Sequence, residues 1–434
     1  MLIRIKYGLL ILVLLQQILA SSIVTAIELN EYPKLRAVAD QLVADGHYTM
    51  PELVDIFAQA EFQQVVLDAM QNPAEYRFTW GKYRKLFLQE DRIQQGADFW
   101  QEYAEPLARA EATYGVPASM IVAIIGVESK FGKYKGKHKV LDSLVTLVVG
   151  FERRSKFFAS ELREFLILTK ENNMAADEIL GSYAGAVGFP QFISSSYRNY
   201  AVDFSGDGVT DLIDQPIDAI GSIANYFVKN GWLKGRPVTS AEHHSVPAQI
   251  AERASNKRKV QHSAVTLRAL GAPISEEIDD TEKLGVIMLN ASEIVLDPKT
   301  SDTYLVRAGD TACEIAEKFE VSCRSLFALN KLNKKGAIFR GQRLKIPPNS
   351  VAKTKSESAA KTDSKWKVSN ANAKSTTVPG DYEGHMPRYF FTHENFYVIT
   401  RYNQSVLYAM AVNDLSTAIA DQRQKFLQSS GGSE

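Results

Sequence analysis

The sequence predicts an α+β chain that is predominantly α, and three observations carry that prediction. Between residue 33 and about residue 235, helix start and stop signals recur at short intervals. Two runs rich in β-branched and aromatic residues, KLGVIMLN (283–290) and PRYFFTHENFYVITRYN (387–403), read instead as strands. Residues 349–382 are rich in Lys, Ser, Ala and Thr with few large apolar side chains, which marks a disordered linker.

Taken in order, residues 1–26 carry Arg4 and Lys6, an apolar run from Leu9 to Leu15, and small residues ending at Ala26. That is the pattern of a secretory signal peptide cleaved after Ala26. Gln16 and Gln17 cut the apolar run short of the roughly 20 residues a membrane span needs. No cysteine lies near the cleavage point, so a lipoprotein signal is not expected. Thr49 and Glu52 form a capping box with Pro51 in the first turn of the next helix. AEPLARAEATYG (104–115) is amphipathic, and the following helix opens at Pro117. An irregular stretch follows Trp232, and residues 304–347 have strand and helix signals of their own. LYAMAVNDLSTAIADQRQ (407–424) is a closing amphipathic helix.

Composition narrows the chemistry. At 434 residues the chain has room for about two to three domains, and its core needs no cross-links to be stable. Fifty basic residues are matched by fifty acidic ones, whereas phosphate backbones are bound through a cationic excess. Nucleic acid is therefore not an expected partner. Two cysteines exclude a disulfide scaffold or an all-cysteine metal centre, and the seven histidines show no HExxH spacing.

One acid stands out. In MIVAIIGVESKFG, Ile121, Ile124 and Ile125 share a helical face, and Glu128 continues that stripe. Gly132 is placed to end the helix in a left-handed cap. A carboxyl group on an apolar stripe is partly desolvated, which favours its protonated form and suits a general acid. The alternative on the same spacing is a helix-end glutamate paired with Lys130 or Lys133.

GVESKFG, FERRSKFF, SYAGAVGFPQF and ITRYNQSVLYAMAV, in this order, resemble the membrane-bound lytic transglycosylase B family. The resemblance covers residues from about 35 to 235 and from about 385 to 420. It implies a lysozyme-like helical catalytic domain with a small β-containing subdomain, acting on bacterial peptidoglycan in the periplasm. Glu128 would be the catalytic acid/base, forming a 1,6-anhydro ring on N-acetylmuramic acid without consuming water. Ser182, Gln191 and Phe192 would line the cleft, with Arg153 and Arg154 meeting substrate carboxylates. Tyr83, Tyr402, Asn403 and Tyr408 match further cleft residues, while Gly185 and Gly188 read as turn or packing residues. No organic cofactor is implied.

DFSGDGVTDLID places Asp203, Ser205, Asp207, the Val209 carbonyl and Asp214 at the positions of a calcium loop, with Gly208 at its sharp turn. The alternative is an acidic turn with no ion. The family has a structural Ca²⁺ site here. Residues 304–347 resemble a LysM glycan-binding module of βααβ order, with Tyr304–Arg307 and Gln342–Pro347 as its strands. Gly309, Asp310 and Thr311 would form its first turn and helix cap. Ile315, Ala316, Phe319 and Leu326 would be its core, and Asn330 would end its second helix. Cys313 and Cys323 can pair in an oxidising compartment or stay as two small buried thiols.

The expected order is a signal peptide (1–26), a catalytic segment (27–300), LysM (301–348), a linker (349–382) and a catalytic return (383–434). Typical family members run almost directly from the first strand run to the second. Here LysM is inserted between them, at a loop tip that tolerates insertion. A monomer acting on glycan strands is expected, with cell-wall synthesis or division proteins as further candidate partners. The rival readings are a hydrolytic muramidase on the same scaffold and a non-catalytic peptidoglycan-binding protein.

Overall fold

The computed structural model describes residues 27–71, 78–255, 258–291, 303–306, 310–319, 321–332, 336–338, 342–346 and 387–430. The expected signal peptide and linker lie outside the described residues, as do Arg307, Gly309 and Pro347. Two compact units divide the chain: residues through Pro73 with Phe87–Pro237 and Glu394–Glu434, and Ala74–Leu86 with Val238–His393. Among the described residues, no single helix is long and apolar enough to cross a membrane.

The first unit is mostly helical, with one short antiparallel pair of His138–Lys139 and Leu180–Gly181. Its helix Met50–Ala58 starts on the Thr49–Glu52 capping box, with Pro51 in the first turn. The Thr49 amide and hydroxyl, together with Lys170, hold the Glu52 carboxyl down at about 2. Helix Ala104–Tyr114 ends at Gly115, whose φ of 69° is the left-handed cap a glycine adopts without steric cost.

At the centre lies the helix Ala118–Ser129. Ile121, Val122, Ile124 and Ile125 are all fully buried, which contributes about 1.5–3 kcal/mol each. Burial is not confined to one stripe: Met120, Ala123 and Gly126 are covered too, as expected for a helix apolar all round. The left-handed cap falls at Lys130 (φ 49°) instead of Gly132, and Phe131 and Gly132 continue in that conformation. The long helix Val406–Ser430 packs along this central helix. Polar ties cross the unit: buried Asp142 accepts from the Glu61 amide, and buried Glu161 accepts from the Ser195 amide and hydroxyl. Burial pushes both carboxyls above their ordinary values.

The second unit contains an antiparallel sheet of His262–Ser263, Lys283–Asn290 and Pro387–Thr392, in that order. Lys283–Asn290 pairs with Pro387–Thr392 from Gly285 opposite Thr392 to Asn290 opposite Pro387. Leu284, Val286, Tyr389 and Phe391 pack with Ile250, Leu267 and Ile274 into one core. The strand expected over 387–403 stops early, and Glu394–Tyr402 is a helix. Its residues from Asn395 to Thr400 are all buried, and tertiary packing overrides a β-branched and aromatic composition that suits a strand.

The module of residues 304–346 has its own core of Tyr304, Val306, Ile315, Ala316, Phe319, Leu326 and Leu344. Strands Thr303–Leu305 and Arg343–Lys345 pair antiparallel around helices Ala312–Lys318 and Cys323–Leu329. Thr311 and Glu314 form a second capping box. Asn330 ends the second helix and exchanges two hydrogen bonds with the Lys345 backbone, closing the module. Cys313 and Cys323 are joined with a Cα separation of 4.9 Å, within the ordinary disulfide range. Cys313 is exposed, so the reading of two buried thiols does not fit its position.

Candidate active site

The end of the central helix presents Glu128, half-buried, two residues before the chain turns left-handed at Lys130. Its Oε1 accepts a hydrogen bond of 2.5 Å from the Tyr408 hydroxyl. The lysines considered as partners are engaged elsewhere, Lys130 with Asp91 at 3.6 Å and Lys133 with Gln95 at 2.8 Å. Tyr408 is 2% exposed, so it supports the carboxylate from below instead of lining an open surface.

Tyr402 backs Tyr408. Their rings stack with centroids 6.4 Å apart, and the Tyr402 hydroxyl donates to the Pro190 carbonyl at 2.5 Å. Burial, then the Glu128 carboxylate, raises the Tyr402 phenol well above the ordinary tyrosine range, which keeps it a neutral donor. Phe192, 2% exposed, and Tyr226, 7% exposed, pack against the Tyr402 ring at 5.7 and 4.9 Å. Phe192, expected on the cleft wall, is therefore a core support. Tyr226 carried no motif, and only its contact with Tyr402 brings it to the site. Burial pushes its phenol up as well.

Ser182 organises a turn. Its Oγ accepts from the amides of Ala184 and Ala186 at 3.2 and 3.1 Å, which uses both hydroxyl lone pairs and leaves the proton free to donate. Gly185 (φ 84°) makes the turn beside Leu144, and Gly188 (φ 73°) lies against the Leu212 backbone, where a Cβ would collide. Gln191, expected to line the cleft, donates its Nε2 to the Gly188 and Lys135 carbonyls. Asn403 is half-buried directly after the helix Glu394–Tyr402. Arg153 and Arg154 are exposed on the turn Glu152–Arg154, and the Arg154 guanidinium lies 4.2 Å from the Phe157 ring centroid. Tyr83 belongs to the second unit, where it is 2% exposed with its ring 6.3 Å from that of Phe78.

The acidic loop is turned sharply at Gly206 and Gly208, with φ of 82° and 88°. Asp203 accepts from the Gly206 and Gly208 amides, which lowers its carboxyl below the usual range. Asp207 accepts from Val209 N, and the Ser205 hydroxyl donates to Asp203. Asp214 does not join them: Lys135 binds it at 2.7 Å. The set of five expected ligands thus does not converge, and the described residues include no group of three or more His, Cys, Asp or Glu placed to hold a metal. Buried Asp218 closes the loop instead, accepting from the amides of Phe204, Ser205 and Asp211. A twelve-position template starting at Asp203 stops before Asp218, which stands in the first turn of the helix Pro216–Lys229.

The central buried helix ending in a tyrosine-held carboxylate, with a closing helix laid along it, is a lysozyme-like arrangement. The chain belongs to the Transglycosylase SLT domain family, which matches residues 30–307 and 330–417, and a LysM domain matches residues 304–347. It is a peptidoglycan lytic transglycosylase, a lyase. Membrane-bound lytic murein transglycosylase B of Escherichia coli K12 is 36% identical over 267 residues, covering 59% of this chain and 72% of that protein. The soluble lytic transglycosylase SltB1 of Pseudomonas aeruginosa superposes with a TM-score of 0.64 at 31% identity, covering 89% and 98% of the two chains. The Escherichia coli lytic transglycosylase Slt35, solved in complex with calcium, superposes with a TM-score of 0.64 at 29% identity, covering 93% and 98%.

Proposed function

We propose that Glu128 serves alone as acid and then base in cleaving the β-1,4 bond between N-acetylmuramic acid and N-acetylglucosamine. The observation that carries this reading is the 2.5 Å hydrogen bond from Tyr408, which fixes the carboxylate at the end of the buried helix. Glu128 gives its proton to the glycosidic oxygen as the bond from that oxygen to C1 breaks. The substrate's acetamido oxygen stabilises the cationic C1, and the Ser182 proton is available to orient that group. The muramic acid's C6 oxygen then bonds to C1, and Glu128 takes the hydroxyl proton. The product is a 1,6-anhydro sugar, and no water is consumed. Arg153 and Arg154 meet the lactyl or peptide carboxylates. Tyr402 and Asn403 complete the glycan-binding set. The test is mass spectrometry of muropeptides released from purified sacculi. Anhydro ends are expected, whereas products one water heavier would assign a hydrolytic muramidase and no release a binding protein.

Export through a signal peptide cleaved after Ala26 would bring the chain to its substrate in the periplasm. LysM would hold it on glycan strands from an insertion within the catalytic fold, with Cys313 and Cys323 bonded there. The chain would act as a monomer.

The acidic loop is proposed to bind a structural Ca²⁺ through Asp203, Ser205, Asp207 and the Val209 carbonyl, as its turn geometry and the calcium complex of Slt35 suggest. A ligand that binds only the native state stabilises it by about 2.7 kcal/mol at a hundred times its Kd. Wild-type protein should therefore melt several degrees higher in millimolar calcium than in chelator, and Asp207→Ala should lose that difference. Identical melting of wild type in both conditions would make the loop an ion-free turn.

A further inference from the structure

Lys135 stands where three segments of the first unit meet. Its Nζ donates to the Ile213 carbonyl and to Asp214 Oδ1, both at 2.7 Å. Its main-chain carbonyl accepts from Gln191 Nε2 at 3.1 Å, and the same nitrogen donates to the Gly188 carbonyl at 2.8 Å. The next residue, Gly136 (φ 100°), packs directly on the backbone of Gly181, the neighbour of Ser182. Residue 135 is thus held on both sides, by a side-chain cation toward 213–214 and by close backbone packing toward 181.

Gln191 has a φ of 50°, a left-handed conformation that costs a residue with a side chain about 1–2 kcal/mol. Its two carbonyl neighbours help to hold it there. They also fix which end of the carboxamide is which, because only the NH₂ group can donate to both. Oε1 is left with no hydrogen-bond partner among the described residues.

We propose that Lys135 is a positioning residue of the lytic site. By anchoring its own carbonyl through the bonds to Ile213 and Asp214, it presents Gln191 to the glycan as an acceptor only, for an N–H or O–H of the sugar or its acetamido group. This rests on the reading of Gln191 as a substrate-binding residue. Lys135 itself touches no substrate and acts through that carboxamide.

The test is a double-mutant cycle of Lys135→Met and Gln191→Ala, read as kcat and KM on soluble glycan oligomers and as melting temperature. Lys135→Met should lower kcat/KM about tenfold, chiefly through KM, while the protein stays folded. Lys135→Arg, which keeps the cation, should recover most of that loss. In the Gln191→Ala background, Lys135→Met should cost almost nothing more. Multiplicative losses in the double variant, or wild-type kinetics for Lys135→Met, would overturn the proposal. If Lys135→Met fails to fold, Lys135→Gln, which removes the cation but keeps a polar side chain, takes its place in the cycle. Wild-type kinetics for Gln191→Ala would instead remove the reading of Gln191 on which the proposal stands.

Discussion

Glu128→Gln is expected to lower kcat on peptidoglycan by about 10³–10⁴-fold, because the amide can neither give the proton to the leaving oxygen nor take one from the C6 hydroxyl. Stability should hold or rise, since a half-buried acid placed for chemistry is commonly a cost to the fold. The substitution is nearly isosteric, and the amide oxygen can still accept from Tyr408. Circular dichroism melts beside single-turnover assays on sacculi make the check. Anhydro products from Glu128→Gln at near wild-type rate would sink the assignment. Tyr408→Phe should fall between the two, because it leaves the carboxylate present but removes the 2.5 Å bond that orients it.

Replacing residues 301–380 with a short Gly/Ser loop should leave cleavage of small soluble glycans within about twofold, and lower retention on insoluble sacculi by 10²-fold or more. The second effect follows from effective concentration: a tethered glycan site makes engagement of the cleft intramolecular. The first follows from the sheet. Asn290 lies opposite Pro387 at the end of the ladder, so the two strands that flank the excised segment are paired with each other and not through the module. LysM also encloses its own apolar core. A sedimentation assay with sacculi, run beside turnover of soluble oligomers, separates the two effects. Loss of soluble turnover as well would make the module part of the catalytic fold.

Much of the molecule was legible in its order of residues. Thr49 and Glu52, three apart, are close enough to satisfy each other, and they cap a helix in the structure as their spacing predicts. The same holds for Thr311 and Glu314 in LysM. KLGVIMLN is a strand because a β-branched run flanked by polar residues suits a sheet buried on its central positions. In each case the deciding interaction lies within a few residues or in the side chain's own shape.

The tertiary structure decided what depended on distant partners. Spacing left Glu128 open to Lys130 or Lys133, and the choice went to Tyr408, 280 positions away. Asp214 fitted a loop template, yet Lys135 neutralises it and Asp218 takes over the loop's amides. The segment Glu394–Tyr402 is a helix although its composition suits a strand, since packing of its buried residues overrides the β-branched and aromatic preference. Phe192 and Tyr408, read as surface for a sugar, are interior supports. The sequence by itself determined the local conformations and the residue types able to do the chemistry. Which groups face one another was settled only when packing brought together segments that loop closure holds apart in the unfolded chain.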